Sequence, residues 1–255
     1  MLTILLTAAA TGFAACTATE RNADFGLQNG SGNTATVTVN VYAVGDLVAF
    51  TAWCYSSCTP VSLTMGNQTA TRTTVSGNPG PGNPGEGQGF IFYILSAAEA
   101  GPQTATFTVT GTHSDIQTSY IDFSASSGCT FTHNVDSPLG YFPGNPNDTG
   151  PGPINAPSIT PSPGDLLFVF TYTSEHVTSV NSPWSCPIYQ SNQECEFDGT
   201  VNAAGYILSA SAGATANNMT DIHNSDSWQA LITSFTMSGS GGGPAPPSNL
   251  QAVAQ

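Results

Sequence analysis

The chain has no lysine and only two arginines, Arg21 and Arg72, against 16 acidic residues, for a net charge of −14. So few cations cannot neutralise a phosphate backbone, which excludes nucleic acid as a partner, and anionic membrane surfaces are excluded for the same reason. Without lysine there is no amine for Schiff-base chemistry. Charged residues of both signs make up 7% of the chain, where a soluble domain carries about a quarter. Solubility therefore rests on hydroxyls and amides. The N-terminal apolar run at 2–15 has 14 residues, short of the roughly 20 that cross a bilayer as a helix. Helical periodicity, a G-x-S-x-G elbow and a phosphate-binding loop are all missing.

In their place stand 33 Thr, 27 Ser, 27 Gly and 18 Pro, the usage of short β-strands joined by tight turns. The six cysteines fall as a close pair Cys54 and Cys58, a second pair Cys186 and Cys195, and the isolated Cys16 and Cys129. Neither CYSSC nor CPIYQSNQEC has the paired-knuckle spacing of a zinc site, so disulfides are expected at Cys54–Cys58 and Cys186–Cys195, while Cys16 and Cys129 are candidates for a third whose pairing the sequence leaves open. Disulfides imply an oxidising compartment, hence an extracellular or cell-surface location. No cofactor is called for.

Two stretches follow one plan. Gly45-Asp46-Leu47 leads into VAFTAW, and Gly164-Asp165-Leu166 leads into LFVFTY. Tyr93-Ile94-Leu95-Ser96-Ala97 recurs unchanged as Tyr206-Ile207-Leu208-Ser209-Ala210. Period-2 alternation, as in residues 36–41, predicts strands with one apolar and one wet face. The fold class is all-β, an antiparallel β-sandwich built from two similar halves. Tandem sandwiches and one jelly-roll-like sandwich both fit the half-lengths, and a disulfide in each half favours the tandem form. The boundaries read as an apolar segment at 1–15, a first half at 16–141, a Gly/Pro linker at 142–153, a second half at 154–237, and a Gly/Pro linker with a terminal strand at 238–255.

Several groups invite a chemical reading. Glu194, Glu196 and Asp198 alternate as paired acids do in a glycosidase; the motif resembles the E-x-D-x-x-E strand of jelly-roll glucanases, with different spacing. His113 with Asp115, and His223 with Asp226, sit at comparable places and suit turn chemistry better than metal binding, since no further ligands accompany them. Trp53 and Tyr55 flank Cys54, while Trp184 and Tyr189 flank Cys186; rings on a disulfide-braced loop can stack on a neutral polysaccharide, or simply fill a sandwich core. Asn29, Asn67, Asn147 and Asn218 open glycosylation sequons. The runs TATVTV and TATFTVT suggest an ice-binding face, but two short runs are no regular array and Thr is a good strand residue anyway.

At the C-terminus, PPSNLQAVAQ resembles the first strand of a fibronectin type III domain, and the chain as a whole is similar to secreted and surface β-sandwich proteins of bacteria. With no nucleophile, acid pair, phosphate loop or metal cluster standing out, and with low charge, disulfides and Thr/Ser-rich strands, the expectation is a non-enzymatic extracellular structural or adhesive protein. Self-association is expected by strand exchange into a filament or surface layer, with Leu2, Ile4 and Leu6 at one end and Leu250 and Ala252 at the other adding to open sheet edges. The rival to exchange is a cleaved signal segment. The alternative function is a polysaccharide-binding module or a jelly-roll glycoside hydrolase.

Overall fold

A computed structural model describes residues 15–55, 58–73, 88–142, 144, 147, 150–173, 176–188, 195, 202–221 and 227–239, with the side chains of 27–31 and 114 excepted. Among these residues there is no helix. Seven strands come first: β1 (Ala18–Val41), β2 (Leu47–Cys54), β3 (Pro60–Met65), β4 (Gln68–Thr69), β5 (Thr71–Arg72), β6 (Gln88–Ile94) and β7 (Gly101–Ala125). Ten more follow: β8 (Thr130–Asp136), β9 (Gly140–Phe142), β10 (Gly152–Ile154), β11 (Ser158–Ile159), β12 (Leu166–Thr173), β13 (Val177–Val180), β14 (Asn202–Ile207), β15 (Thr215–Ala216), β16 (Met219–Asp221) and β17 (Trp228–Ser238). All pairings are antiparallel.

The two long strands β1 and β7 pair along their whole length, from Ala18↔Ala125 to Val41↔Gly101. This ribbon serves two layers. Its Gly101–Val109 side also pairs β3, which pairs β4. Its other end pairs β2, which continues to β6 and β5. Ala35, Val37, Val39, Phe107 and Leu63 from the first layer meet Val48, Phe50, Phe92 and Tyr120 from the second in one dry core.

The second half repeats this arrangement in pieces. β14, β12, β17 and β8 form a sheet in that order, with β9 also on β17, and β10–β16–β13 with β11–β15 cover its far side. The duplicated motifs coincide at atomic detail. Val48 opposes Ile94 as Leu167 opposes Ile207, and Leu47 opposes Phe123 as Leu166 opposes Phe235. Gly45 N–H donates to Ala97 O at 2.9 Å and Gly164 N–H to Ala210 O at 2.8 Å; Ala97 and Ala210 N–H return bonds to Asp46 O and Asp165 O, both at 2.8 Å. Both glycines hold φ near +90°, at 94° and 88°, a region that L side chains avoid.

β2 and β12 are buried at every position, which departs from the expected one-sided alternation. Val48, Phe50 and Ala52 enter the first core, while Leu47, Ala49 and Trp53 enter a second, shared with Phe168, Phe170, Tyr172, Leu231 and Phe235 of the other half. The intervening residues Leu167 and Val169 enter a third core with Trp184, Met219 and Trp228. Residues of one strand alternate between faces, so the molecule is four sheet layers with three cores between them. Two tandem sandwiches lie back to back on a dry joint. Gly89 sits in that joint, where a Cβ would overlap the Phe170 ring. β8 and most of β9, which the sequence reading assigns to the first half, pair β17 of the second, and β10 begins inside the expected 142–153 linker.

Candidate functional site

Both expected disulfides are present, with Cα separations of 6.4 Å for Cys54–Cys58 and 4.8 Å for Cys186–Cys195, and Cys16 and Cys129, left open by the sequence, form a third at 5.9 Å. The aromatic platform is not assembled. Trp53 is buried in the joint, stacked on Tyr172 at 5.0 Å, and Trp184 is buried in the third core, where its indole N–H donates to Ala216 O at 2.9 Å. Each ring is worth more as packed apolar area than as an exposed plate, so neither can stack on a sugar. Among the described residues of this set, Tyr55 alone is exposed. His113 contacts the carbonyls of Tyr55 and Thr110 at 3.1 and 2.9 Å, and Asp115 accepts from Gln117; both residues lie within β7 and not on the expected turn. Tyr189, His223, Asp226, Glu194, Glu196 and Asp198, with the assembly residues Leu2, Ile4, Leu6, Leu250 and Ala252, lie outside the described residues. Of the sequon residues, Asn67, Asn147 and Asn218 are exposed.

Polar groups not singled out by the sequence cluster inside. Asp122 is fully buried, accepts the Tyr42 N–H at 2.7 Å, and has its carboxyl pushed up to about 7, chiefly by desolvation. Arg21, nearby, lies 4.4 Å over the Tyr42 ring and donates to Ser124. At the joint, His133 pairs Asp136 at 2.8 Å and stacks on Tyr93, while Thr233 also donates to Asp136. Gln117 accepts from Asn202, and Glu20 accepts the Ile188 N–H at 2.6 Å and bonds Tyr206; burial raises the Glu20 carboxyl against the pull of these two bonds, and raises the Tyr206 phenol with Glu20 adding to the effect. These groups stitch sheets together.

The outermost layer of the first half is different in kind. Ala35, Val37 and Val39 point into the first core, as do Ala105, Phe107 and Val109, and Leu63 and Met65. The residues between them therefore point to solvent. Register aligns them in rows: Thr36 opposes Thr106, Thr106 opposes Thr64 and Thr64 opposes Thr69; Thr34 opposes Thr108, which opposes Ser62; Thr38 opposes Thr104. The two runs judged too short to form an array thus lie side by side and in register. Among the described residues none of these nine hydroxyls is bonded to another protein group. Inner hydroxyls behave otherwise, as Thr51 with Ser119 or Thr236 with Asp165 shows.

Residues 34–40, 60–65, 68–69 and 102–110 include no charged side chain. The face is consequently neutral on a molecule of net charge −14. Its signal in the sequence is the shared pattern T-A-T-x-T-V at 34–39 and 104–109, which antiparallel pairing superimposes. Scanned against known protein families and against curated proteins, the chain matches no family and none of those proteins.

Proposed function

We propose that this chain is a non-enzymatic extracellular adhesion module, a rigid double sandwich that meets an uncharged partner through the threonine face of its first layer. The observation that carries the reading is the register of β1, β7, β3 and β4, which sets unbonded hydroxyls in rows on a surface without charge. Three disulfides suit an oxidising, extracellular setting. The non-enzymatic reading is supported by the placement of Asp122, Asp136 and Glu20, whose carboxylates are spent on holding sheets together. The polysaccharide alternative loses Trp53 and Trp184 as stacking rings.

Adsorption to hydroxyl-, amine- and carboxylate-terminated monolayers on a quartz microbalance tests the proposal. Binding through a neutral face favours the hydroxyl monolayer, changes little with salt because there is no charge to screen, and falls at least fivefold in Thr106→Lys. Adsorption confined to the amine monolayer and abolished by salt would instead assign adhesion to the acidic remainder of the surface.

A further inference from the structure

Resting on the threonine face as the binding surface, we infer that its ligand is ordered water: the face is built to hold the surface of an ice crystal. The outward residues of one strand recur about every 6.7 Å, and neighbouring strands lie about 4.8 Å apart. Ice repeats its surface oxygens at spacings close to both. The hydroxyls at Thr34, Thr36, Thr38, Thr104, Thr106 and Thr108 form a two-dimensional grid on two directly paired strands, extended sideways by Ser62, Thr64 and Thr69.

Each threonine offers one donor and two acceptor positions, and none is spent inside the protein. Each also carries a methyl group beside its hydroxyl, so water over the face is caged by apolar groups and anchored by polar ones. A charged side chain would orient water around itself and break the lattice, and the face has none. β-Branched side chains are stiff at χ1, and the grid stands on the buried row Ala35, Phe107, Leu63. Little freedom remains to be lost on binding, which is what preorganisation contributes to affinity.

Ordered water is favoured over a crystalline polysaccharide because flat sugar polymers are gripped by exposed coplanar rings, and Phe107, the only aromatic residue in the grid strands' 34–40, 60–65, 68–69 and 102–110 segments, points inward. Rows of four, three and two hydroxyls span only on the order of 200 Å² at these spacings. Such a patch slows the regrowth of small crystals more readily than it depresses the freezing point.

The test uses the full chain in ice-recrystallisation and ice-partition assays, with Thr106→Lys at the centre of the grid, Thr36→Lys on its outer strand, and Thr178→Lys on the opposite half as a control. Thermal midpoints of all variants report that they are folded. The wild type enters the ice fraction and keeps crystal grains small. Thr106→Lys and Thr36→Lys each require at least tenfold more protein for the same grain size, and Thr178→Lys matches the wild type. Exclusion of the wild-type protein from ice overturns the inference, as does full activity of both grid variants. If ice excludes the protein while its adsorption to hydroxyl monolayers stays sensitive to Thr106→Lys, the face is the binding site and the ligand is not ice. Retention on crystalline cellulose or chitin that Thr106→Lys abolishes would then assign the face to a polysaccharide.

Discussion

Replacing Asp122 by Asn removes a strained ionisation at almost no change of shape. The carboxyl is raised to about 7 by desolvation first, with Asp46 adding to the effect and the bonds from the Tyr42 N–H and Asn22, together with Arg21, opposing it. An aspartate in the unfolded chain titrates near 3.9. Between roughly pH 4 and pH 7 the folded protein therefore holds a proton that the unfolded chain has released, and stability falls as pH rises through that window. Below it the contribution is fully present; above it, lost. A shift of about three units corresponds to about 4 kcal/mol, an upper bound for the gain from Asp122→Asn at pH 8. The amide oxygen can still accept the Tyr42 N–H. Urea unfolding followed by the fluorescence of the buried Trp53, Trp184 and Trp228, at pH 3.5, 5.5 and 8, measures the difference between the two proteins. It is expected to be near zero at the lowest pH and to grow towards the highest. Glu20 and Asp115 are also raised by burial and tilt both curves alike, so the difference isolates position 122. A pH-independent difference, or a loss of stability in the Asn variant at pH 8, refutes the argument.

Gly89→Ala should cost about 1–3 kcal/mol by overpacking the joint, and Phe170→Ala about 3–5 kcal/mol by emptying it; the double variant should be more stable than the sum of the two predicts, as a double-mutant cycle in urea would register. Removing Cys16–Cys129, which closes 113 residues, should cost about 5 kcal/mol on loop entropy alone, against about 2 kcal/mol for Cys54–Cys58 with its separation of 4; equal losses by calorimetry would show that loop length is not what these bonds act through. Trp184→Phe keeps the ring in the third core but loses the bond to Ala216 O, so it should cost about 1 kcal/mol while leaving adsorption to hydroxyl monolayers as in the wild type.

How much of this was legible depended on whether a feature is local. Gly45-Asp46-Leu47 and Tyr93–Ala97, with their copies, announced a duplication, and the copies share register because the Asp carbonyl and the Ala N–H close the same turn in both. The apolar runs at 47–54 and 166–173 did not announce that they are covered on both faces. A sandwich strand needs only one dry side, so Leu47, Ala49 and Trp53 read as surplus until Phe168 and Phe170 arrive from the other half. The boundary between halves was misplaced because the Gly/Pro cluster at 142–153 is the louder signal, whereas the pairing of Phe131 with Met237 decides which sheet β8 joins. Trp53 and Trp184 admitted two readings that only burial separates. The threonine grid is a matter of register, and pairing between residues some seventy positions apart leaves no trace in either strand taken alone.

The Cys16–Cys129 bond joins the start of β1 to the turn after β7, and this decides where tension between the two ends of the described chain travels. Tension applied across the described chain, between its first and last residues, enters at Cys16, crosses the two sulfurs to Cys129 and continues through the second sandwich. Residues 17–128, with the whole threonine face, are bypassed. Pulling can unravel β8 to β17 while the grid keeps its geometry, and roughly 400 Å of contour length stays locked behind a link that reductants open and ordinary force does not.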